Sequence, residues 1–161
     1  MGQYSTVHCL HDRVNSGRLF HMPEFTVHTP ADLTLVADAL LGMTPTILAC
    51  VGPLGAGKTT LTQAIGKALG VREQVTSPTY VLQQVYRIAR NPAYDTLVHV
   101  DCYRIKTDHE LPALDLAYWA ERPKTLVIIE WADRIRNYLK PLHPTWVTFV
   151  VRGETREITV R

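Results

Sequence analysis

Residues 52–60 read Gly52-Pro53-Leu54-Gly55-Ala56-Gly57-Lys58-Thr59-Thr60, directly after the apolar run Thr46-Ile47-Leu48-Ala49-Cys50-Val51. The spacing is G-x-x-x-x-G-K-T, and each position has a physical task. Glycines let successive backbone N–H groups curl around phosphate oxygens, where a Cβ or a fixed negative φ would intrude. In such a P-loop the lysine, Lys58, reaches the β and γ phosphates of a nucleotide, and the hydroxyl of Thr59 binds Mg²⁺. The segment that follows has helical periodicity: Leu61, Ala64, Ile65, Ala68 and Leu69 form one apolar stripe, closed by Gly70. Phosphate would therefore meet a true helix N-terminus. A plain glycine-rich turn is the bland alternative, and the strand-then-helix setting argues against it.

Working outward, Thr29-Pro30-Ala31-Asp32 supplies a cap, a proline at the first helical position and an acid near the positive helix end, so a helix is expected there. Its apolar positions are Leu33, Val36, Ala37, Leu40 and Leu41, and Gly42 stops the run. Tyr80 to Ile88 alternates as a strand, Arg90-Asn91-Pro92 turns the chain, and Leu97 to Tyr103 reads as a second strand. Glu110 to Glu121 reads as a short helix, with Pro112 tolerated in its first turn. The continuous apolar run Thr125-Leu126-Val127-Ile128-Ile129 is the pattern of a strand covered on both faces. Trp146 to Val151 and Glu157 to Val160, around Arg152-Gly153-Glu154, form a closing hairpin. The expected fold class is α/β: a P-loop NTPase-like three-layer sandwich with a mainly parallel central sheet and antiparallel edge strands.

The length of 161 residues suits one domain. Residues 1–24 show no sustained period and read as an N-terminal extension or leader, with Met22 as an internal start candidate; residues 25–161 read as the single domain. The net charge of +2 is interspersed rather than gathered, so any contact with RNA is expected to be indirect. Cys9, Cys50 and Cys102 lie far apart, the latter two in apolar runs, as in a reduced, cytoplasmic protein. No apolar stretch approaches the ~18 residues of a membrane span, and the seven histidines show no metal-ligand spacing.

A P-loop needs a carboxylate at the end of a neighbouring strand, because Mg²⁺ and its waters take oxygen ligands. Two are offered: Asp101 ends Leu97-Val98-His99-Val100, and Glu130 ends Leu126-Val127-Ile128-Ile129. Spacing alone leaves open which faces the metal and which the attacking water. Ser77-Pro78-Thr79-Tyr80, a short loop after the P-loop helix, is either a γ-phosphate sensor or an ordinary start to a strand. His99 shares a strand face with Asp101 and is placed to orient it, or is a hydrogen-bonded core residue. Trp131 stacks on a nucleotide, shields the site or fills the core. Arg104 is a phosphate contact or a surface cation.

Taken together, residues 52–60, Ser77 to Tyr80, His99-Val100-Asp101-Cys102-Tyr103-Arg104 and Ile128-Ile129-Glu130-Trp131 resemble the TsaE (YjeE) family, bacterial ATPases of tRNA threonylcarbamoyladenosine synthesis. The resemblance runs from about Phe25 to the C-terminus. It implies an ATP and Mg²⁺ site in which Thr59 and Glu130 hold the metal, Lys58 the β and γ phosphates, and Asp101 the hydrolytic step. Gly52, Leu54, Gly55, Ala56, Gly57, Thr60, Ser77, Thr79 and Trp131 would line the nucleotide, with Ser77 to Tyr80 as a mobile switch. It further implies docking on a TsaB–TsaD heterodimer, whose TsaD subunit modifies adenosine 37 of tRNAs that read codons beginning with A. The family commonly carries Asp where this chain has Pro53, which lacks an N–H, so phosphate must be held by the amides from Gly55 to Thr60. Adenine contacts are expected at the helix start, Thr29 to Thr34.

Two other functions use the same residues. A small-molecule kinase would need an acceptor pocket and an arginine-bearing lid, for which Arg134 and Arg136 are the candidates. A nucleotide-gated binding module would need the bound state rather than turnover.

Overall fold

The computed structural model describes residues 23–78 and 81–161. The extension through Met22 lies outside them, as do Thr79 and Tyr80 of the expected switch.

Among the described residues the strands form one seven-stranded sheet in the order β1-β7-β6-β2-β5-β4-β3. These are β1 Glu24–Val27, β2 Ile47–Val51, β3 Gln83–Arg87, β4 Thr96–Asp101, β5 Thr125–Glu130, β6 Thr145–Arg152 and β7 Thr155–Val160. Strands β6, β2, β5 and β4 run parallel through the centre. The β1–β7, β6–β7 and β3–β4 pairs are antiparallel. Every residue of β4 and β5 is buried, as a parallel strand covered on both faces requires.

Alternation along these strands divides the interior into two layers. Leu48, Leu97, Leu126 and Ile128 face Leu33, Val36, Leu40, Leu61, Ile65 and Leu69 of helices α1 (Leu33–Gly42) and α2 (Lys58–Leu69). Ile47, Ala49, Val98, Val100, Val127 and Ile129 face the opposite layer, which contains Leu116 of α3 (Leu116–Glu121) and Leu139 of α4 (Arg136–Leu139). The result is the three-layer α/β sandwich expected from sequence. The carboxyl ends of β2, β4 and β5 share one sheet edge, the usual ligand position in open α/β folds.

Local chemistry accounts for the helix limits. The 3-10 turn Pro30–Asp32 precedes α1, and the Asp32 carboxylate reaches back to accept from the amides of His28 and Thr29, each at 2.9 Å. Helix α2 ends in a Schellman pattern: Gly70 lies at φ 79, its amide donates to the Lys67 carbonyl at 3.1 Å, and the Val71 amide donates to the Gly66 carbonyl at 2.9 Å.

Two expectations need correction, and one strand went unread. The helix placed at Glu110 to Glu121 is instead a 3-10 stretch, Asp108–Leu114, followed by α3. Pro112 removes an amide, and Asp115 at φ 49 breaks the run before Leu116. The strand from Tyr80 begins only at Gln83, after Leu82 at φ 62. Strand β1 was not anticipated. It pairs Phe25 with Ile158 of β7, and the Val160 amide donates to the Pro23 carbonyl at 3.0 Å.

Candidate nucleotide-binding site

Residues 52–57 join β2 to α2, and two glycines there are demanded by geometry. Gly57 sits at φ 104 immediately before α2. Gly52 passes so close to β6 that an added Cβ would stand 2.8 Å from both the Cβ and the carbonyl oxygen of Phe149. Gly52 therefore serves the packing of the loop on the sheet and is absent from the lining of the cavity in front of it.

Lys58, the first residue of α2, is buried, and its Nζ donates to the carbonyls of Gly52 and Pro53, each at 2.8 Å. The same ammonium lies 3.8 Å from the ring centroid of Trp131, a cation–π contact. Burial pushes the Lys58 pKa below its ordinary value, against the opposing fields of Glu130, Cys50, Asp101 and Asp133. Pro53 thus contributes a carbonyl where its missing amide contributes nothing, and the loop accommodates the substitution.

The two strand-end acids stand side by side, Asp101 of β4 in register with Glu130 of β5. Their partners separate them. Glu130 Oε2 accepts from the Thr59 hydroxyl at 2.8 Å, and its Oε1 lies 2.8 Å from His99 Nε2. Asp101 Oδ2 accepts from the Ser77 hydroxyl and Oδ1 from the Tyr103 amide, each at 2.9 Å. Of the two readings of His99, the hydrogen-bonded core residue is the one found, and the alternative that it orients Asp101 is not. His99 and Asp101 share a face, but the imidazole reaches diagonally to the adjacent strand, where Glu130 stands two residues beyond Ile128, the register partner of His99, a separation that aromatic and long side chains span.

Leu54, Gly55, Gly57, Thr59, Thr60 and Ser77 join Lys58, Asp101, Glu130, Trp131 and Tyr103 around a cavity of about 290 Å³. Trp131, half-buried at φ 57, roofs Lys58 and packs on Tyr103 with ring centroids 4.9 Å apart, so it covers the site while also packing against the second core layer. Tyr103 belongs to the quoted motif without a role in the lining; its position two residues after Asp101 is the available signal. Ala56 is buried and faces a second cavity of about 150 Å³ on the other side of the loop, with Val27, His28, Thr29, Pro30, Leu33 and Arg156. This second cavity adjoins the Thr29 to Thr34 helix start, while β1 and Arg156 of β7 carry no mark in the sequence that ties them to it.

Arg104 is exposed. Arg134 donates to the Ile105 carbonyl at 3.3 Å, and Arg136 lies 4.2 Å from the Trp146 ring centroid; neither lines the cavity in front of the loop.

The donor set suits a magnesium–nucleotide pair. A hydroxyl and a carboxylate are hard oxygen donors at a helix N-terminus, and Mg²⁺ usually takes one or two protein oxygens beside substrate phosphates and water. Among the described residues no group of three His, Cys, Asp or Glu side chains is arranged to hold a metal without a nucleotide. No helix there is long and apolar enough to cross a membrane.

Fold and loop together define a nucleotide-binding protein of the P-loop class. The overall structure is similar to the crystal structure of YdiB from Bacillus subtilus, with a TM-score of 0.63 at 23% identity over 89% of this chain and 87% of that one. The sequence profile described as Threonylcarbamoyl adenosine biosynthesis protein TsaE matches residues 27–158, and the chain belongs to that family. Proteins named tRNA threonylcarbamoyladenosine biosynthesis protein TsaE are similar to it. The one from Synechocystis sp. is 32% identical over 72% of this chain and 71% of its own length. That from Mycobacterium tuberculosis is 39% identical over 57% of this chain, and that from Nostoc sp. 39% identical over 63%. The chain spans 56% of the mycobacterial and 64% of the Nostoc relative.

Proposed function

We propose that residues 25–161 form an ATPase domain that acts in the cytoplasm as an accessory of tRNA threonylcarbamoyladenosine formation, together with a TsaB–TsaD heterodimer. The observation that carries the ATPase reading is the Thr59–Glu130 contact of 2.8 Å at the start of α2, beside a buried Lys58. The family match and the names of the relatives support the pathway.

In this reading the amides from Gly55 to Thr60 cradle the phosphates, and Lys58 leaves the carbonyls of Gly52 and Pro53 to meet the β and γ groups. Thr59 and Glu130 would hold Mg²⁺, which would neutralise charge on the phosphate oxygens. Adenine lies in the smaller cavity against Thr29, Pro30 and Leu33, reached past Gly57 and Thr60. Asp101 positions the attacking water. Its oxygens accept from Ser77 and from the Tyr103 amide, and each keeps a lone pair for a water; movement of the Ser77 segment would open Oδ2 further. That arrangement supports a slow ATPase whose geometry a partner completes. The engaged positions of Arg134 and Arg136 give a kinase lid no support.

Phosphate release from ATP and Mg²⁺, measured with and without a purified TsaB–TsaD pair, tests the proposal. Stimulation by the pair is the expected result, with loss of activity in Lys58→Ala. Absence of both hydrolysis and co-purification with the pair, with or without ATP, would overturn it. An Asp101→Asn variant that binds ATP and still sustains many rounds of tRNA modification would make nucleotide binding, rather than hydrolysis, the working event.

A further inference from the structure

Glu130 is 3% exposed and its two oxygens have different owners. Oε2 meets the Thr59 hydroxyl, a group proposed to turn to the metal, whereas Oε1 meets His99, a residue of the sheet interior. His99 is fully buried, on the same face as Leu97 and beside Ile128 across the β4–β5 ladder. Its other nitrogen, Nδ1, is buried without a hydrogen-bond partner.

An unpartnered buried ring nitrogen carries a desolvation cost that an apolar side chain at this central position would avoid. What the imidazole adds is a single donor, Nε2–H, aimed at one oxygen of one carboxylate. The Thr59 contact cannot do this work alone. A carboxylate with one fixed oxygen still swings about that contact, and the Thr59 hydroxyl must leave Oε2 if it is to reach a metal.

We infer that His99 is a positioning residue: it holds Oε1 of Glu130 against the sheet, so that Oε2 alone is presented to the metal side of the phosphate cavity when Thr59 turns away. The inference rests on the proposed Mg²⁺–nucleotide reading of the site. It assigns His99 no contact with nucleotide or metal. Outer partners of this kind typically change metal affinity by about 10- to 100-fold when removed.

Binding of a fluorescent ADP analogue is measured in EDTA and across a Mg²⁺ titration for the wild type, His99→Leu, His99→Gln, His99→Asn and Glu130→Ala. In His99→Leu the Mg²⁺ concentration needed for half-maximal tightening is expected to rise about tenfold or more. Affinity in EDTA should stay within about twofold of wild type, since the phosphate amides and Lys58 are untouched. His99→Gln, whose amide reaches the Nε2 position, should recover most of the Mg²⁺ response, and the shorter His99→Asn should not. If His99→Leu fails to fold, the Gln and Asn pair carries the comparison. A Mg²⁺ response equal to wild type in both His99→Leu and His99→Asn overturns the inference, as does an equal loss of affinity with and without metal. Should Glu130→Ala itself keep the wild-type Mg²⁺ response, the metal-side reading of Glu130 fails and His99 has nothing to position. A defect in Glu130→Ala with none in the His99 variants removes only the inference.

Discussion

At the ends of β4 and β5 stand two carboxylates in register, nearly equally buried at 5% and 3% exposure, in unlike surroundings. The Glu130 end is anchored. Its partners are a buried strand residue and the first turn of α2, and the P-loop before that helix is pressed against Phe149. The Asp101 end is held by a loop. Its oxygens answer to Ser77, which belongs to no helix or strand, and to the backbone just past β4. Burial therefore says little about which acid is rigidly placed; the element that supplies the hydrogen-bond donors decides it. An anchored carboxylate suits the static task of holding a metal, and a loop-held one suits a step that begins when the loop moves.

Four experiments break or sharpen this contrast. The largest effect is expected for Glu130→Ala, which should lower ATP hydrolysis by about 10²- to 10³-fold, as removal of a preorganised electrostatic group does. Wild-type phosphate release from this variant would end the metal-side assignment. Next comes Gly52→Ala, where the new methyl meets the Phe149 backbone at 2.8 Å. A loss of about 1–3 kcal/mol in denaturant unfolding is expected, and an unchanged midpoint would show that the P-loop is less firmly seated than described.

Ser77→Ala removes one donor from Asp101 and should cost about 1 kcal/mol of stability, with hydrolysis changing in either direction by less than about tenfold. A fall as deep as that of Glu130→Ala would erase the distinction between the two ends. The smallest signal comes from the thiols beside them. Cys50, in register with Glu130, is pushed up strongly by burial, and Cys102, following Asp101, is pushed up to about 12, again chiefly by burial. Both should resist alkylation at pH 8 in the native state, with Cys102 modified ahead of Cys50 in peptide mass spectra as the loop-held end opens. The reverse order would place the weaker end at β5.

Much of the fold was legible because its signals are local. The continuous apolar run before Glu130 marks a central parallel strand, the stripe from Leu61 to Leu69 marks α2, and Gly153 at φ 58 closes the β6–β7 hairpin where the sequence placed it. The segment from Glu110 to Glu121 misled, because apolar spacing is blind to the left-handed Asp115 that divides it. Strand β1 is four residues long, too short for Glu24-Phe25-Thr26-Val27 to stand out before its partner strand, far along the chain, is in place. Within the site, the lining of the phosphate-side cavity followed the motif spacing for Gly55, Gly57, Lys58, Thr59 and Thr60. Gly52 and Ala56, drawn from the same motif, turned instead to packing and to the neighbouring cavity.

By itself the sequence determined the P-loop, the helix behind it, the central strands and the presence of two strand-end acids, because each is written in contiguous residues whose backbone preference or periodicity needs no distant partner. Spacing left open which acid meets Thr59, a pairing that the family resemblance implied; the tertiary structure alone decided that His99 serves Glu130 rather than its own strand neighbour Asp101, and that Trp131 roofs Lys58. Those choices depend on lateral register between β4 and β5 and on how α2 lands against them. A hydrogen bond across some thirty or seventy residues of chain leaves no local trace until packing brings its ends within 3 Å.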